Sequence, residues 1–438
     1  MTKFEAAVTI LGTLNKAGYE AYLVGGCVRD MLLDIEPKDF DVTTNARPEQ
    51  VQALFPSTLA VGAQFGVIIV GLEGLWTEVA TYRTDGIYSD GRRPDEVKYS
   101  DTAKEDVIRR DFTINGLLYS PLTGRIVDYV DGQNDLKIRV LRAIGDPWVR
   151  FKEDPVRILR GVKFAYRYGF DIAEKTVQTM ILLGEELGRV SKERLRKELL
   201  EIMGIRQNTR RRDAMDFLHR AGFMTMLIPE LDALVGCTQP PAYHPEGDVF
   251  VHTQLMIAAC DSQDPNLLLA VLLHDIGKPA TRTEDETGIH FRGHAELGAT
   301  MAEEICERLK MSRDDIDEVV YMVKWHMALY VAEEMALSTL KKFFREPVFP
   351  KLLELHRLDI LCSNGNFKSY LYLKHMFETT PLETLKPLRL LTGDDLITLG
   401  FKPGPKFKEI LGVVETMQLD GKLTTPDEAF EYVKVTYV

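Results

Sequence analysis

Residues 21–44 read AYLVGGCVRDMLLDIEPKDFDVTT. This stretch is the most informative one for the fold of the first part of the chain. The apolar run 21–24 predicts a short buried strand, and residues 27–33 have the apolar spacing of a helix. Gly25 and Gly26 stand between them, where the absence of side chains lets backbone N–H groups approach a phosphate. The N-terminus of the helix adds positive potential at the same place. The stretch therefore predicts a phosphate-binding turn.

Three carboxylates belong to the same predicted site. Asp39 and Asp41 open a second strand-like run and, two positions apart on a strand, point to one face, where they can hold Mg²⁺. Glu78, in the predicted strand segment WTEVATYRTDG, is a candidate third member, since two-metal transfer places one ion at the attacking hydroxyl and another on a triphosphate. Together these features indicate phosphoryl or nucleotidyl transfer, although either pattern alone is more often an ordinary turn.

The composition limits the class of protein. A chain of 438 residues exceeds what one core supports, so two to four domains are expected. We find no apolar run near the ~20 residues that span a bilayer and no signal-peptide pattern. Five cysteines without CxxC spacing favour a reduced, cytoplasmic setting. The net charge of −12 argues against nonspecific coating of nucleic acid, but the basic stretches 142–167 and 189–212 are compatible with a local polyanion track or with solvated helices.

The order of predicted elements indicates an α+β domain followed by helices. The segment 4–17 has helical spacing, with an apolar face at Phe4, Val8, Leu11 and Leu14. Short β-like runs at 67–70, 76–82 and 126–129 alternate with Gly/Asp turns. After Pro147 the patterns are long and helical to the end of the chain.

Two later motifs carry groups suited to a nucleotide. In RRDFTIN the paired Arg109 and Arg110 match phosphate oxygens, and Asp111 can accept a ribose hydroxyl. In EDPVRILRGVK, Asp154 and Arg157 stand at i and i+3 of a predicted helix and are expected to lie near one another.

The Asp154–Arg157 pair predicts a choice of base. Asp154 only accepts hydrogen bonds and Arg157 only donates them. Adenine and cytosine each present an amino donor beside a ring-nitrogen acceptor, whereas guanine and uracil present the reverse. One such pair could therefore accept ATP and CTP and reject GTP and UTP without a template. A surface ion pair is the plainer alternative.

Five segments, in this order and spacing, resemble the class II tRNA nucleotidyltransferase (CCA-adding enzyme) and bacterial poly(A) polymerase family. They are LVGGCVRDML, DFDVTTNA, YRTDGIYSDGRRPDEV, RRDFTINGL and EDPVRILRGVKFAYRYGF, and the resemblance recurs in LLTGDDLITLGFKPGPKFKEIL. It implies an α+β fold class, with a polymerase-β-like nucleotidyltransferase head that has a small mixed sheet. The expected domains are the catalytic head at 1–145, an all-α neck with nucleotide-selecting and RNA-binding helices at 146–240, a second functional domain at 241–380 and a helical tail at 381–438.

The resemblance also implies a role for each matched residue. Asp39 and Asp41 fall on the Mg²⁺ carboxylates of the family, with Glu78 as the further catalytic candidate. The implied nucleotide-binding residues are Gly26, Arg29, Arg110, Asp111, Asn115, Asp154, Arg157, Arg160 and Lys163. Lys163 stands where the family carries Arg, and it keeps the charge but lacks the planar fork of a guanidinium.

A second site is predicted in the C-terminal half, where histidines and carboxylates emerge from apolar helical runs. Such side chains suit one or two divalent transition metals in a helical bundle, although a lone His in such a run is more often a core residue. The set resembles the HD phosphohydrolase superfamily, whose metal ligands match His252, His274, Asp275 and Asp359, with His294 and His326 as the additional histidines of two-metal members. His244 and His290 are assigned to the surroundings of this site.

The resemblance to this superfamily makes residues 241–380 an HD domain that would hold Ni²⁺, Mn²⁺ or Co²⁺. Metal-bound water would attack a phosphomonoester or a cyclic phosphodiester. A metal-holding scaffold without activity is the alternative.

The expected function is template-independent addition of CMP and AMP, from CTP and ATP with Mg²⁺, to the 3′ end of tRNA. The protein would be cytoplasmic, without membrane association or an obligate protein partner. An A-adding enzyme or a poly(A) polymerase is the first alternative, and the intact loop TDGIYSDGRRPD at 84–95 disfavours addition of CC alone. An HD phosphohydrolase with an inert RNA-binding head is the second alternative.

Overall fold

A computed structural model describes residues 1–62, 66–85, 97–206 and 208–437. Most of the 84–95 loop therefore lies outside the described residues. The chain divides into two compact units, residues 1–232 and 233–438. None of the described helices is both long enough and apolar enough to cross a membrane.

The first unit is built on a mixed sheet. Its strands are β1 (Ala21–Val24), β2 (Asp41–Thr44), β3 (Thr58–Gly62), β4 (Val67–Leu72), β5 (Leu75–Thr81), β6 (Arg83–Asp85), β7 (Val97–Tyr99), β8 (Leu117–Ser120), β9 (Arg125–Asp128), β10 (Val140–Leu141) and β11 (Asp171–Ile172). Seven of these described strands form one sheet in the order β3-β4-β5-β2-β1-β8-β9. β2 and β5 are parallel, and the other neighbours in this sheet are antiparallel. The predicted small mixed sheet is confirmed.

Helices surround this sheet and continue the unit. They are α1 (Lys3–Lys16), α2 (Gly26–Leu32), α3 (Pro48–Leu54), α4 (Ala103–Ile108), α5 (Gly132–Lys137), α6 (Pro147–Glu153), α7 (Val156–Tyr168), α8 (Glu174–Leu182), α9 (Lys192–Met203), α10 (Asn208–Arg220) and α11 (Phe223–Leu227). α1 packs on β1, β2 and β5. Its buried face is Ala6, Ala7, Ile10, Leu11 and Leu14. The predicted members Phe4 and Val8 are only half-buried, because the small alanines form the side of the helix that meets the sheet.

α7 is the helix that connects the sheet region to the helices that follow. It packs against α9 and α10 and is buried along most of its length. Gly161 lies at a close contact, since a Cβ there would lie 3.0 Å from the Phe112 ring and 3.2 Å from Met180 Cε. This approach brings the N-terminal turns of α7 beside residues 109–115.

The second unit is helical apart from one short hairpin. Its helices are α12 (Val249–Ala259), α13 (Pro265–Leu273), α14 (Lys278–Thr281), α15 (His294–Arg308), α16 (Arg313–Trp325), α17 (Leu337–Phe344), α18 (Phe349–Cys362), α19 (Lys368–Thr379), α20 (Leu382–Leu385), α21 (Gly393–Thr398), α22 (Pro405–Leu419) and α23 (Pro426–Tyr437). The hairpin, β12 (Thr283–Asp285) and β13 (Gly288–His290), was not expected from the sequence.

Two apolar cores stabilise the second unit. α13 is buried from Asn266 to Leu273 and packs against α12, α16 and α18. The last helices have a cluster of their own, formed by Leu391, Leu396, Ile410, Val414, Leu423, Ala429 and Val433. The polar side chains that reach the first core are therefore surrounded by leucine and valine, as the runs around His252 and His274 predict.

Candidate active site and metal centre

A cleft of about 940 Å³ in the first unit collects side chains from distant parts of the sequence. Of the residues predicted for the transferase site, it is lined by Gly26, Arg29, Asp39, Asp41, Arg110, Asp111, Asn115, Asp154, Arg157, Arg160 and Lys163. Glu78 is exposed and does not line it.

Asp41 begins β2, whereas Asp39 precedes the strand, so the prediction that both lie on one strand is wrong for Asp39. Burial raises the pKa of Asp41, the first residue of this strand, to about 6, and the charge of Glu78 on β5 adds to the rise. Asp39 acts in the same direction, whereas Arg110 opposes it. Asp39 also accepts a hydrogen bond from Lys3 Nζ at 2.8 Å. The three predicted carboxylates are thus near enough to repel one another, and a divalent cation among them would relieve this repulsion.

The glycine turn lies against two guanidinium groups. Gly25 has φ +75°, a conformation that favours glycine, and a Cβ there would lie 3.4 Å from Arg110 Nη1. A Cβ on Gly26 would lie 3.5 Å from Arg29 Nη2. The turn therefore combines accessible backbone with two cations, as a phosphate site requires.

A buried carboxylate holds the arginine pair. Asp106 on α4 accepts hydrogen bonds from Arg109 Nη2 at 2.6 Å and Arg110 Nη2 at 2.9 Å. Burial acts to raise the pKa of Asp106, but the charges of Arg110 and Arg109 prevail and lower it to about 2. Asp106 was not predicted as a site residue, although its i, i+3 and i, i+4 spacing to two arginines is visible in the sequence.

Asp111 connects the 109–115 motif to α7. Its Oδ2 accepts from Arg160 Nε at 2.9 Å and Nη2 at 2.7 Å, and its Oδ1 accepts from Asn115 Nδ2 at 3.0 Å. Burial opposes ionisation, but Arg160 and Asn115 lower the pKa of Asp111 to about 2. The carboxylate is therefore charged and already accepts several hydrogen bonds, so contact with a ribose hydroxyl would require an exchange of partners.

Arg29 forms a second connection between α2 and α7. Its guanidinium is buried, donates from Nη1 to Asn115 Oδ1 at 2.6 Å and from Nη2 to Tyr168 Oη at 2.6 Å. The guanidinium carbon also lies 4.5 Å from the centroid of the Tyr168 ring. Tyr168 was missed in the sequence because one tyrosine at the end of a helix gives no signal by itself.

The predicted helical position of Asp154 is wrong, although Asp154 and Arg157 do lie near one another, since Arg157 N–H donates to the Asp154 carbonyl at 3.0 Å. Asp154 has φ −143° and ψ 97° and lies between α6 and α7, not on a helix. The reason is Pro155, since the residue before a proline is disfavoured in the α region. Asp154 Oδ2 accepts from Arg194 Nη2 at 2.7 Å, and Arg157 Nη1 donates to Glu153 Oε2 at 2.8 Å. Asp154 and Arg157 still line the same cleft.

Lys163 is held by two acids of α9. Its buried Nζ lies 2.6 Å from Glu198 Oε2 and 2.6 Å from Glu201 Oε2. Arg194, Glu198 and Glu201 were not predicted as cleft residues, yet their spacing of four and three places them on one face of a helix.

Not every basic residue after position 189 is available to a polyanion. Arg211 on α10 is fully buried and donates from Nε to the carbonyl of Ile205 at 2.6 Å. In contrast, Lys197 is exposed and lines the cleft. Fewer basic residues than the sequence suggests are therefore available to contact a polyanion.

In the second unit, all six predicted metal ligands are buried and form one cluster. His274 Nε2 lies 3.1 Å from Asp275 Oδ2, and His252 Nε2 lies 3.1 Å from Asp359 Oδ1. His294 Nε2 and His326 Nε2 are 3.3 Å apart and lie 3.5 and 3.7 Å from Asp275 Oδ1. Asp275 thus belongs to two groups that could each hold a metal ion.

The side chains of this cluster are oriented for metal binding. Three histidines direct Nδ1 at a backbone carbonyl of the preceding turn: His274 at Val271 (2.9 Å), His294 at Phe291 (2.7 Å) and His326 at Val323 (2.6 Å). With Nδ1 as the donor, Nε2 keeps its lone pair for a metal. His274 Nε2 and Asp275 Oδ1 are buried without a hydrogen-bond partner among the described residues. The donor set therefore fits one or two divalent ions.

Burial also sets the protonation of the cluster. It lowers the pKa of His326 to about 3, with the charge of His274 as the next cause, so His326 is a neutral ligand. Burial acts to raise the pKa of Asp275, but His274 and Lys278 lower it well below its usual range. Gly277 lets this turn approach α15, because a Cβ there would lie 2.8 Å from the Gly298 nitrogen and still closer to the His294 carbonyl.

The chain matches three family models. Residues 21–142 match the poly A polymerase head domain, residues 169–235 the probable RNA and SrmB-binding site of polymerase A, and residues 251–362 the HD domain. Residues 21–142 are therefore called the head domain and residues 251–362 the HD domain, after the models they match, and both predicted resemblances are confirmed.

About half of the chain is similar in sequence to CCA-adding enzymes. The protein of Lactobacillus helveticus is 44% identical over 207 residues, which cover 47% of this chain and 51% of that protein. The protein of Bacillus pumilus is 40% identical over 200 residues, with 46% and 50% covered. The chain thus spans about half the length of the curated relatives it matches.

The similarity in fold to solved structures covers more of the chain than the similarity in sequence to the curated relatives. The Bacillus stearothermophilus CCA-adding enzyme in complex with CTP has a TM-score of 0.77 at 25% identity, covering 99% of this chain and 97% of that one. The Thermotoga maritima CCA-adding enzyme complexed with tRNA has a TM-score of 0.58 at 22% identity, covering 99% and 95%, and shows the fold alone.

Proposed function

We propose that the chain is a template-independent nucleotidyltransferase that adds CMP and AMP, from CTP and ATP, to the 3′ end of tRNA. The observation that supports this most is the single cleft lined by Asp39 and Asp41 and by Asp154 and Arg157. A nucleoside triphosphate placed there has metal-type carboxylates at one end and base-selecting groups at the other. The CCA-adding relatives of the head domain support the same function.

Asp39 and Asp41 would hold Mg²⁺, with Glu78 as a neighbouring charge. The raised pKa of Asp41 supports this assignment, since a desolvated carboxylate with further carboxylates nearby favours a bound cation. When bound, Mg²⁺ lowers the pKa of the attacking 3′-hydroxyl and neutralises charge on the triphosphate.

The protein groups around the triphosphate would position it. Arg110 is held by Asp106 and lies beside the glycine turn. Arg29 and Arg160 are held through Asn115 and Asp111, so little side-chain freedom is lost when a nucleotide binds. The base would be read by Asp154, which accepts from an amino group, and by Arg157, which donates to a ring nitrogen.

A tRNA-end assay tests the proposal. The protein is incubated with Mg²⁺, labelled CTP or ATP, and tRNAs that end at the discriminator base, at C or at CC. We expect CMP and AMP on the shortest tRNA. AMP on the CC-ended tRNA alone would replace the proposal with an A-adding enzyme, and long A tails would replace it with a poly(A) polymerase.

A variant tests the base-selecting role separately. Asp154→Ala is expected to lose discrimination against GTP and UTP, while Asp171→Ala, a change of an exposed aspartate, keeps it. Unchanged rejection of GTP by Asp154→Ala contradicts the assignment.

For the HD domain we propose a metal-dependent phosphohydrolase that uses Ni²⁺, Mn²⁺ or Co²⁺. The metal cluster faces a cavity of about 510 Å³ whose wall includes the cations Lys278 and Arg292, which suit a phosphate ester. Activity toward phosphomonoesters or cyclic phosphodiesters should disappear in His274→Ala and persist in His375→Ala, which alters an exposed histidine. A wild type that is inactive with all three metals would make the domain a scaffold.

We also propose a cytoplasmic location. All five cysteines are free thiols, and four of them are buried, which supports a reducing compartment.

A further inference from the structure

The metal cluster has a neighbour that the sequence did not single out. Glu246 precedes α12, and its side chain is only 6% exposed. Its Oε1 lies 2.7 Å from His252 Nδ1 and 2.9 Å from His244 Nδ1. One carboxylate oxygen therefore joins a predicted metal ligand to a histidine of the cavity wall.

His252 differs from the other three histidines of the cluster in the group that lies next to its Nδ1. His274, His294 and His326 direct Nδ1 at backbone carbonyls within their own turns. His252 Nδ1 instead lies 2.7 Å from the charged carboxylate of Glu246, an ion-pair contact that lacks hydrogen-bond geometry, and a carboxylate attracts an imidazole N–H more strongly than a neutral carbonyl does. Its other nitrogen, Nε2, faces Asp359 Oδ1 at 3.1 Å. The two nitrogens are on different edges of the ring, so Glu246 and the metal position would lie on different sides of His252.

We infer that Glu246 is a positioning residue of the metal centre, which orients His252 so that Nε2 faces the metal and strengthens the imidazole as a ligand. A carboxylate behind a metal-bound histidine fixes both the ring and its tautomer. His244 shares the same oxygen, so Glu246 also holds this part of the cavity wall. The inference rests on the proposed metal binding of the HD domain but not on hydrolysis.

The test is a Co²⁺ titration of the full-length protein. Visible absorption reports the geometry of the bound ion, and the titration gives affinity and ions per chain. The variants are Glu246→Ala, Glu246→Gln and, as a matched control, Asp285→Ala. Asp285 also contacts a histidine, His290, at 3.2 Å, but neither residue belongs to the cluster.

Glu246→Ala is expected to bind Co²⁺ roughly 10- to 100-fold more weakly, with an altered spectrum, because such supporting groups carry effects of that size. Glu246→Gln keeps an acceptor but loses the charge, so its affinity for Co²⁺ should lie between those of the wild type and Glu246→Ala. Asp285→Ala should match the wild type. Circular dichroism checks the fold of each variant, and if the alanine variant does not fold, the comparison of Glu246→Gln with the wild type decides.

Three results overturn the inference. The first is unchanged affinity and spectrum in the folded Glu246 variants. The second is the loss of one bound ion per chain, which would make Glu246 a direct ligand. The third is a wild type that binds no Co²⁺, Ni²⁺ or Mn²⁺, and only this result also removes the proposed metal centre.

Discussion

At the scale of single residues, many charges in the cleft of the first unit already have partners. Lys163 shows this most clearly, because its buried ammonium lies between Glu198 and Glu201. Removing one partner of a buried ion pair leaves an uncompensated charge, which costs far more than the pair itself contributes. The main contribution of Lys163 is therefore expected to be the attachment of α7 to α9.

Lys163→Ala should lower the free energy of unfolding by about 3 kcal/mol, since two acids lose their cation. Lys197→Ala, which removes an exposed lysine of the same cleft, should change it by less than about 0.5 kcal/mol. Urea titration measures both. Equal stabilities of the two variants would contradict the structural role of Lys163.

Asp106 makes the free energy of unfolding depend on pH in the acidic range. Its folded pKa of about 2 lies below the ordinary value, so its contribution is present above about pH 4 and is lost as the pH falls through 2. Asp106→Asn should therefore be less stable than the wild type by about 2 kcal/mol at pH 7, and about half of this difference should be gone at pH 3. A difference that stays constant in urea titrations between pH 7 and pH 3 would refute the assignment.

The identity of most cleft residues could be predicted from motifs, but their partners could not. Asp154 and Arg157 follow from spacing, yet Asp154 lies outside the predicted helix because Pro155 follows it. Asp154 pairs instead with Arg194, forty positions later. Contacts between distant helices depend on packing that a local pattern does not contain.

At the scale of elements, the strands and helices of the head domain were the most predictable features. β1 occupies 21–24 as expected, because a short apolar run between turns has few alternatives. The order of the strands was not predictable, since β2 lies between β1 and the parallel β5. Pairing of this kind depends on neighbours across the sheet more than on the strand itself.

The turn after α13 is expected to tolerate no side chain at Gly277. A Cβ there meets the backbone of α15, so Gly277→Ala should destabilise the protein by about 1–3 kcal/mol and weaken metal binding. Gly412→Ala on α22 is the control, because a Cβ there meets nothing within 4 Å, and it should stabilise by up to about 1 kcal/mol. Thermal unfolding measures both, and equal melting temperatures would contradict the close approach.

At the scale of the whole molecule, two chemical sites lie in two compact units. Asp41→Ala should reduce nucleotide transfer by more than about 100-fold, since losing a metal ligand costs more than losing its support. Phosphohydrolase activity should persist in this variant, and His274→Ala should show the reverse. Assays of both activities on both variants test this, and loss of both activities in either variant would indicate one shared site.

The two halves also differ in how much their sequences reveal. The transferase motifs were recognisable because their polar residues and spacing are specific, whereas helical cores accept many apolar sequences of similar volume. The HD domain was predictable only through its histidines and aspartates, and Glu246 escaped because it contacts the ligands and is not itself part of the motif.

The paired charges of the cleft limit how the sequence of such a protein can evolve. A single exchange at Asp111, Asp154 or Lys163 leaves a charged partner without its counter-charge, so tolerated substitutions should arise together on both sides of a pair. Position 163 illustrates such matching, because two separate glutamates suit the compact ammonium of a lysine better than the planar fork of a guanidinium. We therefore expect the two residues of each charge pair in this cleft to vary together in evolution.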